Sequence, residues 1–234
     1  MTRNLENKIL VLRTTLSKEE ASKITEDKKT SIFKSLLKKP KKDEVHVDSI
    51  TLTYEGLIRI SGKYIADYLR KSIHTVSVDS NVQEVIFGEG IFPIKEKSAF
   101  KRAFIGNRGK NKIDLPLEEH VFVEKEEEIV FDHNGTMVEF PFKIDSKSIE
   151  NYPDKILSDN LLHVKRPKIT NHYATDYLKE VLTKPLESGI RKLNEEFILG
   201  EIVEVYVPIY EARLTGPKNK VGLLRLDAVR KKIL

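Results

Sequence analysis

Two acidic residues stand in the same local frame at distant points of the chain. Glu55 lies in "SITLTYEGLIRISG" (Ser49–Gly62) and Glu211 in "VYVPIYEARLTG" (Val205–Gly216). Each follows a Tyr at the end of a strand-like run, and each precedes a short Arg-bearing run, then Ser/Thr-Gly and basic residues. Two carboxylates brought together could bind a cation or share acid and base roles, because like charges at close range push their proton affinities apart. The simpler expectation is that each Glu faces solvent beside an inward Tyr, or pairs with Arg59 or Arg213. A second polar cluster, Asp132-His133-Asn134-Gly135, could be read as a metal or acid/base site. Its place between two alternating runs makes it a hairpin turn instead, where Asp and Asn tolerate left-handed backbone.

Other chemistries find little to work with. The six histidines (His46, His74, His120, His133, His163, His172) show no i, i+4 pairing of the zinc-hydrolase kind. The chain has no Cys, which removes disulfides, thiolate nucleophiles and Cys-based metal centres, and suggests a reducing, cytoplasmic location. "GNRGKNK" (Gly106–Lys112) lacks the Gly-Lys-Ser/Thr ending of a phosphate-binding loop, and no Gly-x-Ser-x-Gly elbow exists. The expectation is no catalytic residue, no metal and no cofactor.

Charge is more informative. The net charge is +5, but three segments, Lys34–Lys42, Lys95–Lys112 and Arg213–Lys232, hold 19 of the 41 basic residues and 2 of the 36 acidic ones. Such clustering raises the local potential and attracts polyanions through counterion release. The candidate contacts are Lys38, Lys39, Lys41 and Lys42; Lys97, Lys101, Arg102, Arg108, Lys110 and Lys112; and Lys218 and Lys220. Phe100 and Phe104 interleave with the middle cluster as candidate stacking residues, or form the buried side of a short helix. No aromatic RNA-binding strand signature, Gly-x-x-Gly clamp or zinc finger accompanies them.

The elements that must carry these residues read as follows. Apolar residues make up 39% of 234 residues and charged residues 33%, a globular balance, and no run approaches the roughly 18 apolar residues of a membrane span. The first 17 residues lack the apolar core and cleavage site of a secretory signal. The high charge, a single Gln and two Met suggest a thermophile, against which eleven Asn argue. Ser17-Lys18-Glu19-Glu20 is a capping box that opens a helix carrying Ala21, Ile24, Ile32, Phe33, Leu36 and Leu37. Thr170 caps a second, with Ala174, Tyr177, Leu178, Val181 and Leu182 at helical spacing. After the Tyr-Glu frames, "HTVSVDSNVQEV" and "GLLRLDAVRKKI" each place an alternating strand before an Asp, Asp79 or Asp227.

These parallels predict an α+β fold of two tandem helix-plus-antiparallel-sheet repeats (α-β-β-β), residues 1–87 and 153–234, with a small all-β insertion at 88–152. The element order resembles that of cystatin-like and PepSY-like units, a resemblance that carries no functional residues. The expected function is a non-enzymatic cytoplasmic binding protein that contacts RNA or a ribonucleoprotein surface such as the ribosome through phosphates. The alternative is a protein-interaction or dimerisation module on the duplicated scaffold, with Ile202–Ile209 as a candidate edge strand blunted by Pro208.

Overall fold

The computed structural model of the chain describes residues 8–34, 40–94, 111–183 and 189–234. In chain order these form β1 (Lys8–Val11), α1 (Lys18–Lys28), β2 (His46–Val78), β3 (Glu84–Phe87), β4 (Gly90–Pro93), β5 (Asn111–Phe131), α2 (Pro153–Asp159), β6 (Val164–Lys165), α3 (Asn171–Leu182), β7 (Ile190–Gly216), β8 (Lys220–Asp227) and β9 (Lys232–Ile233). The fold is α+β with a mostly antiparallel sheet. Strands follow the hydrogen-bonded order β5-β2-β7-β8-β9, with β1 parallel to β7, β6 parallel to β2, and β3–β4 a separate hairpin. No helix among the described residues is long and apolar enough to cross a membrane.

Both expected caps form. The Ser17 hydroxyl accepts from the Glu20 backbone N–H while Glu20 accepts from the Ser17 N–H, and the Thr170 hydroxyl accepts from the Tyr173 N–H. Helix α1 ends at Lys28 in a turn of 3-10 helix, sooner than its apolar pattern predicts, because Ile32 and Phe33 are needed elsewhere. They lie against Gly216 and Gly222, where a Cβ would meet their side-chain carbons at 2.7 Å. Only glycine leaves room for them.

The chain forms two compact units, each discontinuous in sequence. The first comprises 1–63, 126–182 and 198–234. Its sheet is apolar on both faces, the pattern of a central strand. On one face of β7, Tyr210, Ala212 and Leu214 pack with Ala21 of α1 and Leu16 just before it, while Tyr206 packs with Tyr54, Val11 and Leu157 of α2. On the other, Val203, Val205, Val207 and Ile209 are covered by Phe140, Phe142, Ile144 and Ile149. Ile202–Ile209 is therefore not an edge. β1 runs alongside Val203–Tyr206, and the Thr53 hydroxyl on β2 donates to the Ile209 carbonyl. The turn at 132–135 forms as expected, with Gly135 at φ +90° and the Asp132 carboxylate accepting from the Asn134 and Thr136 N–H groups. Its second arm keeps a single bridge, Phe131 to Met137, before the chain leaves to place Phe140 and Phe142 on the core.

The second unit comprises 64–125 and 183–197. Strict alternation buries Tyr64, Ala66 and Tyr68 of β2, while Asp67 and Arg70 on the same strand meet His120 and Glu119 of β5. The Tyr64 hydroxyl donates to Glu195 at 2.8 Å.

The surroundings of the two Tyr-Glu pairs differ in one respect. After Ser61-Gly62 the strand continues to Val78, whereas after Gly216 the chain turns back at once as β8. Pro217 interrupts pairing there, and Lys218 and Asn219 adopt positive φ, while β-favouring Tyr64 and Ile65 follow Gly62.

Two phenols report on this burial. Loss of hydration, reinforced by the Glu195 hydrogen bond for Tyr64 and by the Glu204 charge for Tyr206, pushes each up to about 12 from 10.0. A raised pKa favours the neutral phenol in the fold. Its contribution is complete below about pH 10 and is lost as pH climbs toward 12. An ultraviolet titration of tyrosinate is expected to show a late phase at about pH 12 that shrinks in Tyr64→Phe; a single phase with its midpoint near pH 10 for every phenol would contradict this burial.

Candidate functional site

Glu55 and Glu211 meet. On β2, Tyr54 and Glu55 lie opposite Val164 and Lys165 of β6, so the apolar pair enters the core with Leu157 and the charged pair takes the other face. On β7, Glu211 lies opposite Arg225 of β8. Four adjacent strands thus present Lys165, Glu55, Glu211 and Arg225 in turn. The Lys165 ammonium donates to Glu55 Oε1 at 2.9 Å and to Glu211 Oε1 at 2.6 Å. Arg225 reaches both carboxylates as well, through Nη2 to Glu55 Oε2 and through Nε to Glu211 Oε1 at 3.3 Å. The expected partners are elsewhere: Arg59 pairs with Glu128 at 2.6 Å, and Arg213 is exposed.

The Glu55 side chain is only 9% exposed and that of Glu211 17%, so their charges need these partners. Burial alone would lower the Lys165 pKa, but its hydrogen bonds to Glu211 and Glu55 outweigh this and raise it, so Lys165 keeps its charge. Two carboxylates and two cations make the lattice neutral. The place a metal cation would take between the carboxylates is held by the Lys165 ammonium.

His133 flanks the lattice, its Nδ1 3.9 Å from Glu55 Oε2. Lys168 donates to Asn134 Oδ1 at 2.8 Å, which turns the Asn134 amide nitrogen toward His133 Nε2 at 3.1 Å. A neutral His133 then carries its proton on Nδ1, the atom facing Glu55. Among the described residues no group of three or more His, Asp and Glu side chains is placed to hold a metal ion.

The first unit also holds a groove of about 690 Å³. Lys34, with Lys218 and Lys220 from the β7–β8 turn, lines it together with Ile32, Phe33 and Val221, and so does Glu44, whose carboxylate accepts from the Lys41 N–H at 2.7 Å. Parts of the first and third basic segments therefore converge. All three lysines are exposed, and none has an ion-pair partner among the described residues. Lys41 and Lys42 follow the groove residue Pro40; Lys41 is exposed, whereas Lys42 is paired with Asp27 at 3.2 Å. Lys112 is exposed on β5 in the second unit. Lys38, Lys39, Lys97, Lys101, Arg102, Arg108, Lys110, Phe100 and Phe104 lie outside the described residues.

Sequence reasoning missed Lys165 and Arg225 as the partners of the two Glu. For Arg225 a signal existed, since a hairpin turning at 217–219 sets it opposite Glu211. Lys165 offered none, because a two-residue strand 110 residues from Glu55 leaves no periodicity to read.

Glu55→Gln is expected to lower stability by about 2–3 kcal/mol in urea denaturation, below the full cost of a broken buried pair because Lys165 and Arg225 are partly open to water. A loss under about 0.5 kcal/mol, typical of an exposed pair, would show that the lattice does not hold the sheet. The chain matches no known family model, no curated protein and no solved structure.

Proposed function

We propose that this chain is a non-enzymatic binding protein of the cytoplasm that holds nucleic acid, RNA or a ribonucleoprotein surface such as the ribosome, through its phosphates. One observation carries the reading: Lys34, Lys218 and Lys220 from two separate basic segments line a single groove without carboxylate partners among the described residues. By contrast Lys165, Arg225 and Arg230 are each matched to acidic side chains. Unmatched lysines on a rim release counterions when a polyanion arrives, and as point charges they favour phosphate over base edges. Ile32 and Val221 offer apolar contact for sugar and base edges. The cysteine-free composition supports the cytoplasmic assignment.

A second reading, a protein-interaction module on a duplicated scaffold, is favoured by the β3–β4 hairpin. Its Ile86, Phe87 and Ile91 are 67%, 64% and 62% exposed. Duplication draws support from matching details. Both Tyr-Glu pairs follow a hydroxyl-capped helix, and Asp79 and Asp227 each accept from the N–H two residues on.

The reading is tested by binding to single-stranded RNA across a salt series. Affinity is expected to fall log-linearly with salt, and Lys34→Glu/Lys218→Glu/Lys220→Glu should weaken it and flatten the slope by about 2, at about 0.7 per phosphate contact. If low-salt binding is absent, or is unchanged in the triple variant while the protein stays folded, the groove is not the nucleic-acid surface. Attention would then pass to the hairpin.

A further inference from the structure

A second cavity, of about 300 Å³, opens in the first unit on the sheet face that carries the charge lattice. Ser49 and Thr51 of β2, Arg213 of β7 and Lys165 of β6 line it, with Leu162 and Leu223 at its apolar wall. Glu211 also lines it, but that carboxylate is already engaged by Lys165 and Arg225.

Counting charges and donors defines what the cavity lacks. Lys165, Arg225 and Arg213 supply three positive charges, and Glu55 and Glu211 supply two negative ones. The surplus belongs to Arg213, which has no ion pair among the described residues. Of the three N–H donors of Lys165, the carboxylates take two, which leaves one. The Ser49 and Thr51 hydroxyls have no hydrogen-bond partner among the described residues, whereas neighbouring Thr53 is spent on the Ile209 carbonyl. A guanidinium fork, one ammonium N–H and two hydroxyls exceed what the two oxygens of a carboxylate accept in one plane. They suit the three terminal oxygens of a phosphate group. The lattice holds Lys165 in place, so that donor needs little ordering on binding.

We propose that this cavity binds a phosphate monoester, with the Arg213 guanidinium as its principal partner and Lys165, Ser49 and Thr51 completing the shell. Leu162 and Leu223, 93% and 51% exposed, would contact the carbon skeleton next to the phosphate. The phosphate belongs either to a small ester or to the 5′ end of a nucleic acid. The site uses none of the groove lysines, so it stands or falls apart from them.

The test is titration with inorganic phosphate at constant ionic strength, followed by calorimetry. Saturable binding is expected, weakened about tenfold or more by Arg213→Gln and retained in the Lys34→Glu/Lys218→Glu/Lys220→Glu variant. Arg213 is exposed, so its substitution spares the core; Thr51→Val, which keeps shape and removes the hydroxyl, gives an independent second loss. Tighter binding of a 5′-phosphorylated than a 5′-hydroxyl oligonucleotide, abolished by Arg213→Gln, would assign the phosphate to a nucleic-acid end. Equal binding of the two, with inorganic phosphate still bound, would assign it to a small ester. Absence of saturable phosphate binding, or an Arg213→Gln protein that binds as well as the parent, overturns the proposal.

Discussion

A carboxylate enclosed by protein must either meet positive charge or give up its own, because lost hydration disfavours the ion. In the first unit Arg230 answers one such carboxylate, Asp227, locally, but Glu55 and Glu211 stand on adjacent strands, and much of the construction follows from answering them. Lys165 can reach both only if the chain returns after α2 to lie parallel to β2 for two residues. Apolar chemistry on the opposite face enforces that return. Val164 enters the cluster of Tyr54, Tyr206 and Leu157, and Pro167 crosses over Gly56, where a Cβ would come within 2.7 Å of the ring. Arg225 arrives by a different route, the tight β7–β8 hairpin. The two cations therefore clamp from the outer strands what β2 and β7 present between them.

The same arrangement sorts the positive charge of the molecule into two kinds. Within the sheet, Lys165 and Arg225 answer buried carboxylates, and Arg59 and Arg230 are held by Glu128 and Asp227 and lie over the rings of Phe140 and Phe142. Those cations serve the fold. At the rim, Lys34, Lys218, Lys220 and Arg213 form no ion pair among the described residues, although Glu44 lines the lysine groove and Glu211 the cavity beside Arg213. The groove between the lysines exists because two glycines on paired strands let Ile32 and Phe33 lie on the sheet, which carries Lys34 across to the β7–β8 turn.

Short-range signals in the sequence were dependable wherever the physics is itself short-range. The capping box at Ser17, the N-cap at Thr170, the Asp132–Gly135 turn and the alternation that buries Tyr64, Ala66 and Tyr68 each depend on residues two to four apart, and each forms. Continuity was harder to read. Ser61-Gly62 and Thr215-Gly216 look alike, yet one lies inside a long strand and the other ends one, since the deciding residues are those that follow. The apolar run 202–209 could be an edge or a centre by pattern alone; β1 beside it makes it a centre.

Residue types and spacing alone show the chemistry in supply: no thiol, a pair of Tyr-Glu frames, and basic residues gathered in three segments. Which charges are matched follows from the folded arrangement. Glu55 looked like an ordinary strand-face residue because its Lys165 partner lies 110 residues away, on a strand too short to show a period. Side-chain types and local periodicity are properties of neighbours along the chain. Charge neutralisation is a property of neighbours in space, and burial, which raises the cost of leaving a charge unmatched, exists only once the chain has folded.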